Sequence, residues 1–540
     1  GRGNIMMNHI LLIVSFIILL CIVLNLITSK IGVPVLLAFI LLGMVFGSEG
    51  IFKIRFDDFK QAETVCSFAL IFIMFYGGFG TNIKEAKPVL LKAGLLSSVG
   101  VVLTSMFVAV FAYFVLKFSW INSVLTGAVI SSTDAASVFS ILRDRHLNLK
   151  YNTASILEVE SGSNDPFAYM LTMIAVTMIS GSITVGSVFG MLFLQLFVGA
   201  LSGVLIAFIF RYLINRFIIN TPGFNMVLVI AVALLSYSLP TVVGGNGYLS
   251  VYITGIILGN SDIRGKKDLV PFFDGITGIM QILIFFLLGL LVYPSRLLFV
   301  AGTGFALACF ITFVVRPFVI TIIMKPFNSA WNQIFLVSWS GFRGASSIVF
   351  AITALLNTNA NYDIFNNVFF IVLFSILLQG SLLPFISKKI DMIDEGYDVM
   401  KTFSDYSGDE IPIEFIQLTV GENQNWCGKS ISDLNLPPDT LMVLIKREGE
   451  DIVPNGQTIL SCGDTIVLAA KSIDFEEYYN MTELVLTKKL LSKGSTLSEL
   501  SGELDALVML IIRGDDFIIP NGETTLYVGD TLVLNNGPIQ

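Results

Sequence analysis

Residues Glu158 to Phe167 read E-V-E-S-G-S-N-D-P-F and sit inside a long apolar segment. Carboxylates at membrane depth are costly, so such a stretch reads first as part of an ion or proton pathway. On a helix, Glu160 and Asn164 are four residues apart and share a face, whereas Asp165 is turned about 100° into the next sector. One carboxylate can therefore keep a fixed partner while the other titrates. Pro166 has no amide hydrogen to offer the Gly162 carbonyl, which becomes a candidate cation ligand beside Asp165.

The rest of the chain supplies the membrane setting. Of 540 residues, 54 % are hydrophobic and only 13 % charged. A soluble core could not hide so much apolar surface. Residues 1–7 read as an expression scar and N-terminus ahead of a native Met6 or Met7. Residues 8–390 contain repeated runs near the ~20 residues needed to cross a bilayer. The apolar pattern predicts about thirteen spans, near 8–28, 32–49, 65–82, 91–116, 120–142, 154–179, 185–212, 223–240, 246–260, 270–293, 297–323, 331–356 and 364–387. With the N-terminus outside, fifteen basic residues fall in inner connections, among them Lys84, Lys87, Lys92, Arg143, Arg145 and Arg264. Only Lys53, Arg55, Lys60, Lys117 and Arg296 fall outside. That bias sets the orientation and leaves the C-terminal part in the cytoplasm. Cys21, Cys66, Cys309, Cys427 and Cys462 show no repeated spacing and suggest neither a disulfide scaffold nor a metal site.

Two spans carry polar or glycine interruptions, at Ser131-Ser132-Thr133-Asp134 and at Gly341-Phe342-Arg343-Gly344. Freed backbone is tolerated in a membrane only where it faces protein or a wet cavity. Each interruption lies in the fifth span of a six-span block, the order expected of inverted repeats whose broken helices cross at an ion site. The fold class is thus an all-α polytopic membrane protein with broken crossing helices, followed by small cytosolic α+β modules.

Within this frame Asp165 is the carrier, because proton and cation compete for one carboxylate that is costly to charge alone. Asn164 adds an amide oxygen without a second titrating group, so one proton exchanges for one monovalent cation with no net charge moved. Thr133 and Asp134 offer hard oxygens for an alkali cation; capping a half-helix is their alternative role. Arg343 needs an anionic partner, for which Glu160 is the expected residue. Arg316 is a second candidate partner, or an interfacial side chain reaching for water. Ser346 and Ser347 line the pathway or serve as small packing residues. Gly244 to Tyr248 reads as a flexible outer link between two spans.

Beyond an acidic linker at 391–411 the composition turns β-rich. Leu441 to Leu468 and Leu507 to Leu534 repeat at a spacing of 66, with Pro-Asn-Gly at 454 and 520 and Gly-Asp-Thr at 463 and 529. Such turns join short strands tightly. The tail is two copies of one α+β module, residues 412–472 and 473–540. A duplicated cytosolic module suggests a gate that shifts populations when a ligand binds, or else a passive assembly domain. No Gly-rich dinucleotide fingerprint precedes either copy.

Thr133-Asp134, E-x-x-x-N-D at Glu160, Asn164 and Asp165, and G-F-R-G at 341–344 together resemble the NhaP-like branch of the monovalent cation:proton antiporter 1 family. The resemblance implies a homodimer, elevator-type alternating access and electroneutral exchange, with Asp165 as the shared cation and proton site. The tail resembles two tandem RCK_C (TrkA-C) modules. Similar modules accompany potassium/proton antiporters, and in Gram-positive bacteria they bind cyclic di-AMP, which is the expected nucleotide effector on that analogy alone. K⁺ is the expected cation and Na⁺ the alternative. A ligand-gated cation channel is the competing class, although no repeated carbonyl filter is present. The reading assigns no enzymatic chemistry, no resident cofactor and no nucleic-acid partner; the lipid bilayer and a second copy are the expected partners.

Overall fold

Helices follow the apolar runs and stop where glycine, proline or small polar residues interrupt them. A computed structural model describes residues 2–31, 34–134, 137, 149–181, 185–216, 223–261, 263, 265–358, 363–394, 413–421, 426–434, 436–438, 440–447, 450–471, 479–491, 495–500, 507–514 and 516–538. Arg143, Arg145, Arg264 and most of the expected linker lie outside them. The chain forms two compact units, residues 1–400 and 401–540.

In the first unit the helices are α1 (Arg2–Ile31), α2 (Val35–Phe46), α3 (Phe59–Gly80), α4 (Leu90–Ser97), α5 (Val99–Phe114), α6 (Trp120–Ile130), α7 (Thr153–Ser180), α8 (Val185–Arg216) and α9 (Phe224–Val242). They continue as α10 (Gly247–Gly259), α11 (Lys266–Leu291), α12 (Pro294–Phe310), α13 (Arg316–Met324), α14 (Trp331–Trp339), α15 (Ala345–Asn357), α16 (Asp363–Phe374) and α17 (Ser381–Lys389). Among the described residues, eight segments are long and apolar enough to cross a membrane, and four shorter apolar helices accompany them. Helix α7 has the length, at 28 residues, but its acidic residues and Asn164 keep it out of that group.

These helices pack as two groups. In one, α3, α8 and α9 pack on α10, and α2 packs on α11. In the other, α4 and α6 pack on α7, α5 on α6, α12 on α16 and α15 on α16. Helix α15 meets α3, and α7 meets α10, where the groups touch. Two π-helical turns, Ile311–Val315 and Ser375–Gly380, join α12 to α13 and α16 to α17. The expected interruptions are present as unwound backbone: α6 ends before Ser131, and residues 340–344 separate α14 from α15.

The second unit holds two four-stranded antiparallel sheets of one topology. Strands β1 (Ile413–Thr419), β2 (Thr440–Arg447), β3 (Glu450–Ile452) and β4 (Thr465–Lys471) order as β1-β4-β2-β3. Strands β5 (Tyr479–Val485), β6 (Leu507–Arg513), β7 (Asp516–Ile518) and β8 (Thr531–Pro538) order as β5-β8-β6-β7. Each core is a small apolar cluster, Met442, Ile445, Ile466 and Leu468 in one and Val508, Ile511, Leu532 and Leu534 in the other. The Gly-Asp turns do more than reverse the chain. Arg447 Nε and Nη2 donate to Asp464 Oδ1 and Oδ2, both at 2.8 Å, and Arg513 forks onto Asp530 at 2.9 and 2.8 Å. One expectation needs correction: Cys427 and Cys462 are joined in a disulfide. The 66-residue repeat hid it, because the matching positions in the second copy are Lys493 and Val528.

Candidate functional site

The two unwound segments meet, and each supplies what the other's helix ends lack. The Asp134 amide donates to the Phe342 carbonyl at 2.8 Å. Arg343 Nη1 donates to the carbonyls of Ser131 and Ser132 at 3.2 and 2.7 Å, placing a cation at the negative end of α6. The Asp134 carboxylate lies against Gly344, which caps α15, so a negative charge faces that helix's positive end. A β-carbon at 344 would sit 2.4 Å from the Asp134 Cβ, so only glycine fits there.

Helix α7 runs past this crossing and lines the site with oxygens. Asn164 Nδ2 donates to Thr133 Oγ1 at 2.5 Å, and that hydroxyl also shares a hydrogen bond with Ser161 Oγ at 2.9 Å. The hydroxyls of Ser132 and Ser346 lie against the Asp165 carboxyl group. Ser132 Oγ shares hydrogen bonds with Ser346 and Ser347 at 3.2 and 3.1 Å. The Asp134 carboxylate accepts from Ser137 at 2.6 Å. Among the described residues, no protein donor reaches the shielded oxygens Asn164 Oδ1 and Asp165 Oδ1. Unpaired buried acceptors on neighbouring residues suit a dehydrated cation, which prefers hard oxygen. Asp165 keeps partial exposure while Asn164 is buried. Asp165, Asn164, Asp134, Thr133, Ser346 and Ser347 therefore share one locality. Gly162 instead faces the Tyr252 ring, whose atoms lie 2.7 Å from where its β-carbon would be.

The ion pair expected between Glu160 and Arg343 is not formed. Glu160 Oε1 accepts from Arg316 Nη1 at 2.6 Å, with both side chains buried. Arg316 Nη2 also holds the Val337 carbonyl at 3.1 Å. The reason is directional: Arg343 belongs to the unwound segment and points at the carbonyl end of α6, while Arg316 on α13 faces Glu160. Arg316 is thus buried in protein and does not reach for the interface.

Several contributors escaped sequence reading. Ser375 Oγ accepts from the Arg343 amide at 3.1 Å and bonds Gln379. Trp339 Nε1 in turn donates to the Gln379 carbonyl at 3.1 Å, so the π-turn braces the break before α15. Asn246, expected in a flexible link, is buried: its Oδ1 accepts from the Leu249 amide at 3.1 Å, and its Nδ2 donates to the Pro166 carbonyl at 2.8 Å. The signal was an N-cap residue ahead of an apolar run.

Comparisons with known proteins agree with this geometry. Residues 15–389 match the model of the sodium/hydrogen exchanger, transmembrane, family, and residues 415–483 and 481–534 match the TrkA-C domain. The chain is 30 % identical over 501 residues to the K⁺/H⁺ antiporter NhaP of Alkalimonas amylolytica, covering 92 % of this chain and 86 % of that one. It is 32 % identical over 489 residues to the K⁺/H⁺ antiporter NhaP2 of Shewanella oneidensis, covering 88 % and 83 %. Among solved structures, the sodium proton antiporter MjNhaP1 of Methanocaldococcus jannaschii superposes with a TM-score of 0.62 at 22 % identity, over 71 % of this chain and 99 % of that one. With its broken helices crossing beside α7 and its paired sheet modules, this multi-pass membrane chain belongs to the sodium/hydrogen exchanger family and carries two TrkA-C modules.

Proposed function

We propose that the chain exchanges a monovalent cation, K⁺ foremost and Na⁺ as alternative, for H⁺ across the cell membrane, one for one. The observation that carries this reading is the pair of unpartnered buried oxygens on Asn164 and Asp165 beside the crossing. Asp165 holds either the proton or the cation, and the amide at 164 adds a ligand without adding charge. Thr133 and Asp134 complete the polar wall, with Ser346 and Ser347 along the approach. The names of the K⁺/H⁺ antiporter relatives support the choice of cation. The separation into two helix groups supports alternating access in which the group bearing α7 and α15 moves against the group bearing α3 and α10. A homodimer and control by a nucleotide such as cyclic di-AMP on the tail modules complete the proposal, on the analogy of similar proteins.

The test is proton flux in liposomes carrying the purified protein, under imposed K⁺ or Na⁺ gradients. Exchange without build-up of membrane potential is expected, its loss in Asp165→Asn, and a changed rate on adding cyclic di-AMP. Full exchange by Asp165→Asn refutes the carrier role.

A further inference from the structure

Helix α3 carries an acidic side chain, Glu63, that the site described above does not use. It is half-buried, and its Oε1 accepts from the Thr353 hydroxyl at 3.2 Å and the Ser67 hydroxyl at 3.4 Å. Thr353 belongs to α15, so this contact crosses between the helix groups. The Tyr248 hydroxyl bonds those of Ser67 and Tyr237, and the rings of Tyr169 and Tyr237 each pack on Tyr248 with centroids 5.0 Å apart. Glu63 is thus set beside a wall of three tyrosines drawn from α7, α9 and α10. Among the described residues no ion pair includes it.

Two helices connect this cluster to the carrier. On α7, Tyr169 follows Asp165 by four residues, and on α15, Thr353 follows Ser346 by seven. Both spacings stay on one helix face and advance by about 6 and 10 Å. The direction agrees on all three elements. Helix α7 runs outward from the basic connection holding Lys150, and α15 continues outward beyond α14 from the one holding Lys325, while α3 runs inward and bears Glu63 one turn from its outer start.

Resting on the exchange reading above, we propose that Glu63, with the hydroxyls of Ser67 and Thr353, forms an outer holding site for the monovalent cation on the extracellular route to Asp165. A half-buried carboxylate with no cationic side chain paired to it among the described residues is stabilised by a mobile cation. The two hydroxyl oxygens replace part of the cation's hydration.

The test uses right-side-out and everted liposomes or vesicles containing the full chain, with K⁺ varied on one face at a time. Glu63→Gln is expected to raise the KM for K⁺ at the outer face about tenfold, in keeping with loss of one close charge, while the inner-face KM and the maximal rate stay within about twofold. Glu63→Asp is expected to restore most of the outer affinity. Equal shifts on both faces, or none, overturn the proposal. Should Glu63→Gln not fold, Ser67→Ala takes its place: a smaller increase confined to the outer face supports the site, and an unchanged outer KM overturns it. Absence of exchange in the unmodified protein instead removes the exchange reading, and the outer site with it.

Discussion

Asp134 and Phe342 join the two unwound segments directly, amide to carbonyl, at 2.8 Å. The crossing is therefore a joint held together through the backbone itself. Gly344 lies beside that joint, with Asp134 atoms 2.4 to 2.6 Å from its missing β-carbon. Gly344→Ala is expected to cost about 1–3 kcal/mol by overpacking and to abolish exchange. Thermal unfolding of the purified variant alongside flux measures both effects; wild-type flux at wild-type stability would contradict the joint.

Glu160 and Arg316 form a buried pair, and removing either partner strands the other. Glu160→Gln and Arg316→Met are each expected to destabilise by about 3–5 kcal/mol, whereas the double variant loses much less than their sum. A double-mutant cycle read by thermal unfolding checks this. The coupling of Glu160 to Arg316 should exceed its coupling to Arg343.

In the one-for-one exchange proposed above, Asn164 keeps the cycle electrically silent by adding a ligand without a second titrating charge. Asn164→Asp places a second carboxyl beside Asp165 and replaces the amide that donates to Thr133 Oγ1. Exchange in this variant is expected to respond to membrane potential, read with a voltage-sensitive dye, while the parent does not. Identical voltage independence in both would break the one-carrier account.

The tail modules should be acid-labile in a defined window. The Arg447 fork holds the Asp464 carboxyl below its ordinary range, and Arg513 does the same for Asp530. Lowered folded-state values mean that the stabilisation is complete above the unfolded value of ~3.9 and disappears as pH falls through the depressed one. Hydrogen exchange of β4 and β8 in the full chain, corrected for its intrinsic pH dependence, is expected to be level from about pH 7 to 5 and to accelerate below about pH 4. Asp464→Asn should release β4 already at neutral pH and leave β8 protected.

What could be read beforehand divides along a physical line. The breaks at 131–134 and 341–344 were legible because glycine, serine and charge inside apolar runs have few other uses. The shared face of Glu160 and Asn164 followed from helical periodicity, and the tail from its internal repeat. Partner choice was not legible. Whether Glu160 meets Arg316 or Arg343 depends on which helix lies across from it, a matter of three-dimensional packing. The same holds for Tyr252 against Gly162 and for Glu63 against Thr353, whose members come from different helix groups. The Cys427–Cys462 bond was obscured by the very symmetry that revealed the modules, since only one copy has it.

Asn246 gives one amide two duties: it starts α10 and grips the carbonyl of Pro166, the residue next to Asp165. Any slide of α7 along α10 by more than an ångström or two breaks that grip and leaves a carbonyl and an amide seeking new partners. In the alternating access proposed above, the side chain would work as a detent, a catch that marks one resting position of α7 and is lifted at each stroke.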